Sequence, residues 1–202
     1  MSTYRVAQVA GAGETFHITE REVPRPGPRH VRIAVEACGI CHSDALFVNA
    51  LVPGVRFPLV PGHENAGRIA ELGEGAVDMG WQVGDRVAVG WFGGSCGHCT
   101  QRRQGDFIVC AGLKVPGWAY DIGADTQPLG INPDQLLMSG RVLRGQPFGT
   151  AQDVQDVQYT MAFSALHGIR PMAETVPLDQ ADAADRKMLS GAARFRMVLT
   201  SR

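Results

Sequence analysis

The chain has 202 residues, 45% of them hydrophobic and 19% charged, with a formal net charge of -1. That balance suits one sizeable folded domain or two small ones and excludes disorder on compositional grounds. No basic run suggests nucleic acid or an anionic membrane, and no apolar stretch is long enough to span a bilayer.

The first 120 residues read as all-β. "YRVAQVA", "TFHITE", "HVRIAVEA", "GRIAEL" and "DRVAVG" are short runs rich in β-branched residues, parted by Gly, Pro and Asp clusters such as "PRPGPRH" and "VPGVRFPLVPGH". Many short strands with such turns indicate a barrel or sandwich. From Asp121 the texture changes. "NPDQLLMS" suits a short helix and "RVLRGQPFG" a strand. Thr150 suits the N-cap of a helix running to about His167, with Val154, Val157, Met161 and Leu166 near one face. The repeat "DVQDVQ" in that helix is either chance in a polar first turn or a three-residue insertion, which would rotate the remainder of the helix by about 300°. "AETVPL" then reads as a strand, "DQADAADRKMLSG" as a helix ended by Gly191, and "RFRMVLT" as a last strand.

The N-terminus "MSTYRVAQVAGAGETF" lacks a signal peptide's basic region and apolar core, so a cytoplasmic location is expected. In that reducing setting the five cysteines read as metal ligands or free thiols rather than disulfides.

Two stretches carry chemistry. In "GHENAGRIAELGEGA", residues 62–76, His63 is an imidazole ligand candidate beside the carboxylate of Glu64, and Gly62 and Gly67 let the backbone pass close by. Upstream, "GICHSD" supplies Cys41 and Asp44. A thiolate and an imidazole suit catalytic zinc, and Asp44 is a natural acceptor for the N–H of a liganding histidine. Either residue alone would more simply be a packed or surface group; the combination favours a metal. The second stretch is "SCGHCTQRRQGDFIVC", residues 95–110. Cys96 and Cys99 have a metal-knuckle spacing and Cys110 comes eleven residues later. The next position in the rhythm is Arg102, whose guanidinium cannot ligate and would repel a cation. His98, Asp106 or water could complete a shell; the alternative is three free thiols on a loop.

"GICHSD", "PLVPGHENAGRIAELGEGA", "VGDRVAV", "GGSCGHC" and "GDFIVCAG" occur in the same order as in zinc-dependent medium-chain alcohol dehydrogenases. The resemblance covers almost all of residues 1–121, the GroES-like catalytic domain of that family. It implies Cys41 and His63 as catalytic zinc ligands, with Glu64 a carboxylate able to approach the metal. By the same resemblance Ser43 hands on the substrate's proton, His42 faces the pyrophosphate of the cofactor, and Cys96, Cys99 and Cys110 are three of four structural zinc ligands. The implied chemistry converts a primary alcohol to an aldehyde with NAD or NADP. Zinc would lower the pKa of the alcohol and the nicotinamide would take the hydride.

The sequence also departs from the family. A Rossmann domain needs a G-x-G-x-x-G fingerprint and over about a hundred residues. The fingerprint is absent, and "GAGETF" at 11–16 has two of its three glycines and leads into a strand. The chain jumps near Asp121–Ile122 from before the nucleotide fold to near its end. The expected division is a catalytic domain over 1–121, a strand-plus-helix remnant over 122–170 and a return to the catalytic domain over 171–202. The expected fold is mainly β with an α/β C-terminal part: a GroES-like β-barrel with an incomplete or absent Rossmann domain. The third zinc ligand of relatives falls in the omitted segment, leaving Glu64 as a candidate. Cys38, in C-x2-C with Cys41, is either a substitute or a buried thiol in a strand. Arg196 matches a pyrophosphate-reaching position, with an ordinary strand arginine as the alternative. Leu46 stands where some relatives carry a relay histidine. The strand at 142–148, without its parent sheet, is a candidate homodimer edge.

Overall fold

The computed structural model describes residues 2–51, 54–91, 96, 98–104, 110 and 151–201, with backbone alone at 101, 102 and 151–157. The helix and strand expected within 132–149, and Thr150, lie outside these residues.

The strands follow the β-branched runs. A two-stranded hairpin joins β1 (Thr3–Gln8) to β2 (His17–Glu22). A five-stranded sheet contains β3 (Val31–Gly39), β4 (Glu64–Leu72), β5 (Arg86–Val89), β6 (Ala173–Pro177) and β7 (Arg196–Thr200), in the order β5-β4-β3-β7-β6. The two C-terminal strands are parallel to each other, and β7 runs antiparallel to β3, pairing Gly39 with Val198. Residues from the two ends of the chain therefore share one sheet. The helix between β6 and β7 is α4 (Ala181–Leu189), preceded by a 3-10 turn and followed by Gly191 at φ 69°. Its inward positions are alanines. Ala181 and Ala184 are buried and let the helix close onto Met197, which is 1% exposed.

Two apolar clusters lie either side of the loop after β3. Ile40 joins Ala184, Ala193 and Met197 in one. Leu46 and Phe47, on the short helix α1 (Asp44–Val48), join Leu59, Val55, Phe57 and Trp91 in the other. Residues 41–44 are thus held at both ends by buried anchors. Burying side chains of this size stabilises by about 1.5–3 kcal/mol each.

A second short helix, α2 (Thr100–Arg103), comes directly after Cys99, and α3 spans Ala151–His167. Of the apolar positions placed near one face of α3, Met161 is 65% and Leu166 is 81% exposed. No helix among the described residues is long and apolar enough to cross a membrane.

Candidate metal centre

The sheet register builds the first site. Gly39 at the end of β3 pairs with Glu64 at the start of β4, which sets the 41–44 loop against His63 and Glu64. Gly62 turns the chain into β4 at φ 123°, where a Cβ would lie 2.8 Å from Cys38 Sγ. Only glycine adopts that backbone readily. Cys41 Sγ, a His63 ring nitrogen and a Glu64 carboxylate oxygen all fall within 4.8 Å of one another.

Asp44 organises the site. Its Oδ2 accepts the backbone N–H of Cys41 at 2.9 Å, and its Oδ1 lies 3.0 Å from His63 Nδ1. One buried carboxylate thereby fixes both the thiol loop and the imidazole. The other ring nitrogen, Nε2, is left for the metal side. Ser43 is fully buried and its hydroxyl donates to Cys41 Sγ at 3.1 Å. Burial opposes ionisation of Cys41, but hydrogen bonds from His63 and Ser43 outweigh it and lower the thiol to about 7. Burial likewise disfavours a charged His63, yet Asp44 and Cys41 raise it to about 10. Without a metal, these shifts favour a thiolate beside an imidazolium, backed by a carboxylate, as pH rises past about 7. A cation that displaced the imidazolium proton would meet a donor set of the catalytic-zinc type.

The remaining candidates lie close by but differ in what they touch. Arg196, on β7, pairs through Nη2 with Glu64 Oε1 and also hydrogen-bonds Cys41. Its guanidinium thus sits beside the candidate ligands and engages one of the two Glu64 carboxylate oxygens. His42 is exposed, with the carboxyl of Asp185 in its electrostatic neighbourhood. Burial and Asp44 raise Asp185 to about 6. Cys38 stays outside the ligand group; its thiol faces Gly62, and burial pushes it up to about 11. Leu46 is buried in the apolar cluster. Trp91, which the motifs do not single out, makes an edge-to-face contact with the His63 ring, with centroids 5.0 Å apart. Its position two residues past β5 was the available signal.

The thiol environments make a pH prediction. In metal-free protein, iodoacetamide labelling of Cys41 should rise through a midpoint near its thiol value of about 7. Cys38, at about 11, should stay unlabelled at neutral pH. Peptide mapping by mass spectrometry checks this; equal labelling of both residues at pH 7 would contradict it.

A second group lies apart. Cys96, Cys99 and Cys110 are close enough to hold an ion, with Cys110 Sγ 3.5 Å from Cys96 Sγ and 3.7 Å from Cys99 Sγ. Backbone N–H groups of His98 and Cys99 lower the Cys96 thiol to about 6. His98 Nδ1 is 2.8 Å from the Cys96 carbonyl, and the residue is not in the sulfur group. The Arg102 side chain, Asp106 and residues 142–148 lie outside the described residues.

The family model of the alcohol dehydrogenase GroES-like domain matches residues 27–141. The chain belongs to the medium-chain alcohol dehydrogenase family. It is 38% identical over 122 residues to the alcohol dehydrogenase patD of Aspergillus clavatus, covering 60% of this chain and 31% of that one. Indeed, it spans about a third of the length of the first curated relatives it matches. A cobalt- and zinc-bound thermostable alcohol dehydrogenase from Pyrobaculum aerophilum matches with TM-score 0.52 and 33% identity, over 60% of this chain and 37% of that one. Cinnamyl alcohol dehydrogenase SbCAD4 of Sorghum bicolor aligns with TM-score 0.80 across 98% of each chain. Its 15% identity speaks to fold alone. The family chain is mainly β with an α/β C-terminal part: a GroES-like catalytic domain with an incomplete Rossmann domain.

Proposed function

We propose that the chain is the zinc-binding catalytic part of an alcohol dehydrogenase. Its lineage oxidises primary alcohols to aldehydes with NAD or NADP, and its own turnover is impaired because most of the nucleotide-holding domain is missing. The observation that carries this reading is the convergence of Cys41, His63 and Glu64, with Asp44 behind the imidazole. Zinc, when bound, supplies a Lewis acid that lowers the pKa of an alcohol.

The chain's own residues then have defined tasks. Cys41 and His63 hold the metal, and Asp44 fixes the imidazole with Nδ1 protonated and Nε2 free. Glu64 is the third donor, with one of its two oxygens paired to Arg196. The Ser43 hydroxyl hands on the substrate's proton, and turning toward substrate requires it to release Cys41. With Leu46 apolar and buried, solvent supplies the rest of the proton path. His42 and Arg196 are the residues left to meet a cofactor pyrophosphate.

Residues 1–121 form the catalytic domain in this reading, 122–170 the remnant of the nucleotide fold and 171–202 the return. The partner is a small alcohol or aldehyde in the cytoplasm, not nucleic acid or a membrane, with a homodimer edge near 142–148. The apolar exposure of α3 favours a second reading, in which the chain is a non-catalytic zinc-binding remnant or interaction module.

Zinc content, NADH fluorescence titration and alcohol-dependent NADH formation on one sample separate the readings. Zinc bound through Cys41 with weak NADH binding and slow but measurable turnover supports the first. Zinc binding with no NADH binding and no turnover selects the second. Protein that takes up no zinc refutes both.

A further inference from the structure

We infer that Cys96, Cys99 and Cys110 form a three-sulfur site for thiophilic ions that complete their coordination with three thiolates, arsenic(III) being the representative, rather than a closed four-ligand zinc site. Cys110 Sγ stands 3.5 Å from Cys96 Sγ and 3.7 Å from Cys99 Sγ, and all three sulfurs lie within 4.8 Å of one another. A tetrahedral zinc with bonds of about 2.3 Å places its sulfurs about 3.8 Å apart. Both separations fit edges of such a tetrahedron, slightly contracted.

Among the described residues no further cysteine or histidine supplies the fourth corner. Every cysteine and histidine of the chain lies among the described residues, and none besides these three joins the group. The residue at the fourth position of the rhythm is Arg102, which has no lone pair to give and carries a positive charge. Structural zinc needs four protein ligands. Arsenic(III) needs three, because its own lone pair occupies the remaining corner, and its pyramidal geometry draws the sulfurs inward. Soft thiolates favour such an ion.

The surroundings suit capture. The N–H of Cys99 donates to Cys96 Sγ at 3.3 Å and the N–H of Cys96 to Cys110 Sγ at 3.4 Å, which orients the sulfurs. Cys96 and Cys99 are half-exposed, so an ion can reach them, while Cys110 is buried. The exchange balances without a redox partner. Arsenous acid, As(OH)3, loses three hydroxyls and three thiols lose their protons; three As–S bonds form and three waters leave.

The test uses the full reduced chain stripped of metal, with sodium arsenite as probe. Arsenite should raise the intact mass by one arsenic less three hydrogens. It should protect Cys96, Cys99 and Cys110 from alkylation and leave Cys41 reactive. Cys41→Ser should bind arsenite as the unaltered chain does, and Cys110→Ser should bind at least about tenfold more weakly. Arg102→Cys restores a fourth sulfur without touching the existing three and should raise zinc affinity at this site by at least about tenfold. An adduct that retains a hydroxyl on arsenic, or one that maps to Cys38 and Cys41, would overturn the inference. So would zinc held at these sulfurs as tightly by the unaltered chain as by Arg102→Cys.

Discussion

Purified His63→Ala protein should lose one equivalent of zinc per chain, with affinity at the Cys41 site lowered on the order of 100-fold or more. Competition against a chromophoric chelator measures this, and unchanged affinity would remove the metal centre from the protein's chemistry. The size of the effect has two sources. A ligand is lost, and Asp44 loses its partner. Asp44 is 5% exposed, and its pairing with His63 spans 3.0 Å. A buried carboxylate left unpaired costs about 3–5 kcal/mol, so the variant should also melt earlier in the metal-free state. The deficit depends on pH in a set direction. His63 is raised from 6.5 to about 10, so the pair's contribution is whole below pH 6.5 and fades as pH climbs through 10. Metal-free wild type should therefore converge on His63→Ala in alkali, while the gap stays full in mild acid. Asp44→Asn keeps the shape and removes the charge; it should weaken zinc by about 10–100-fold, because the carboxylate orients the imidazole and also holds the Cys41 N–H.

Gly67→Ala should destabilise the fold by about 1–3 kcal/mol or more, although it adds a single methyl. Gly67 pairs with Val35 across an irregularity in the β3–β4 register between Val35 and Ala37. There the neighbouring strand presses in, and a Cβ on Gly67 would lie 2.1 Å from the Ala34 carbonyl oxygen. The obstacle is backbone, so no rotamer change relieves it. Forcing β3 and β4 apart also separates the Cys41 loop from His63. Zinc affinity should then fall together with thermal stability, although the substitution touches no ligand. Thermal unfolding of metal-free and zinc-loaded protein checks both; a variant with wild-type melting in both states would show that the strands part at no cost.

Local patterns made much of this legible. Cys41, Asp44, His63 and Glu64 sit in two short motifs, and β3–β4 pairing brings those motifs together without help from the middle of the chain. The strands also declared themselves through their β-branched runs. What escaped the sequence was set by distant contacts. The pairing of Arg196 with Glu64 joins the last strand to an early one, and no spacing encodes it. Five residues of α1 are too few to show a helical period. The apolar positions of α3 fall near one face, but a periodic pattern says only that a face exists; whether anything covers it is decided elsewhere in the chain.

The position of β7 beside β3 has a bearing on biosynthesis. Translation runs from the N-terminus, so the thiol, imidazole and both carboxylates leave the ribosome long before residues 196–200 do. Until then the inner edge of β3 is an open seam, and Glu64 lacks its guanidinium. Until β7 has emerged the nascent chain therefore carries an unfinished pocket, and a chain terminated before residue 196 would lack both the strand that flanks β3 and the guanidinium that meets Glu64.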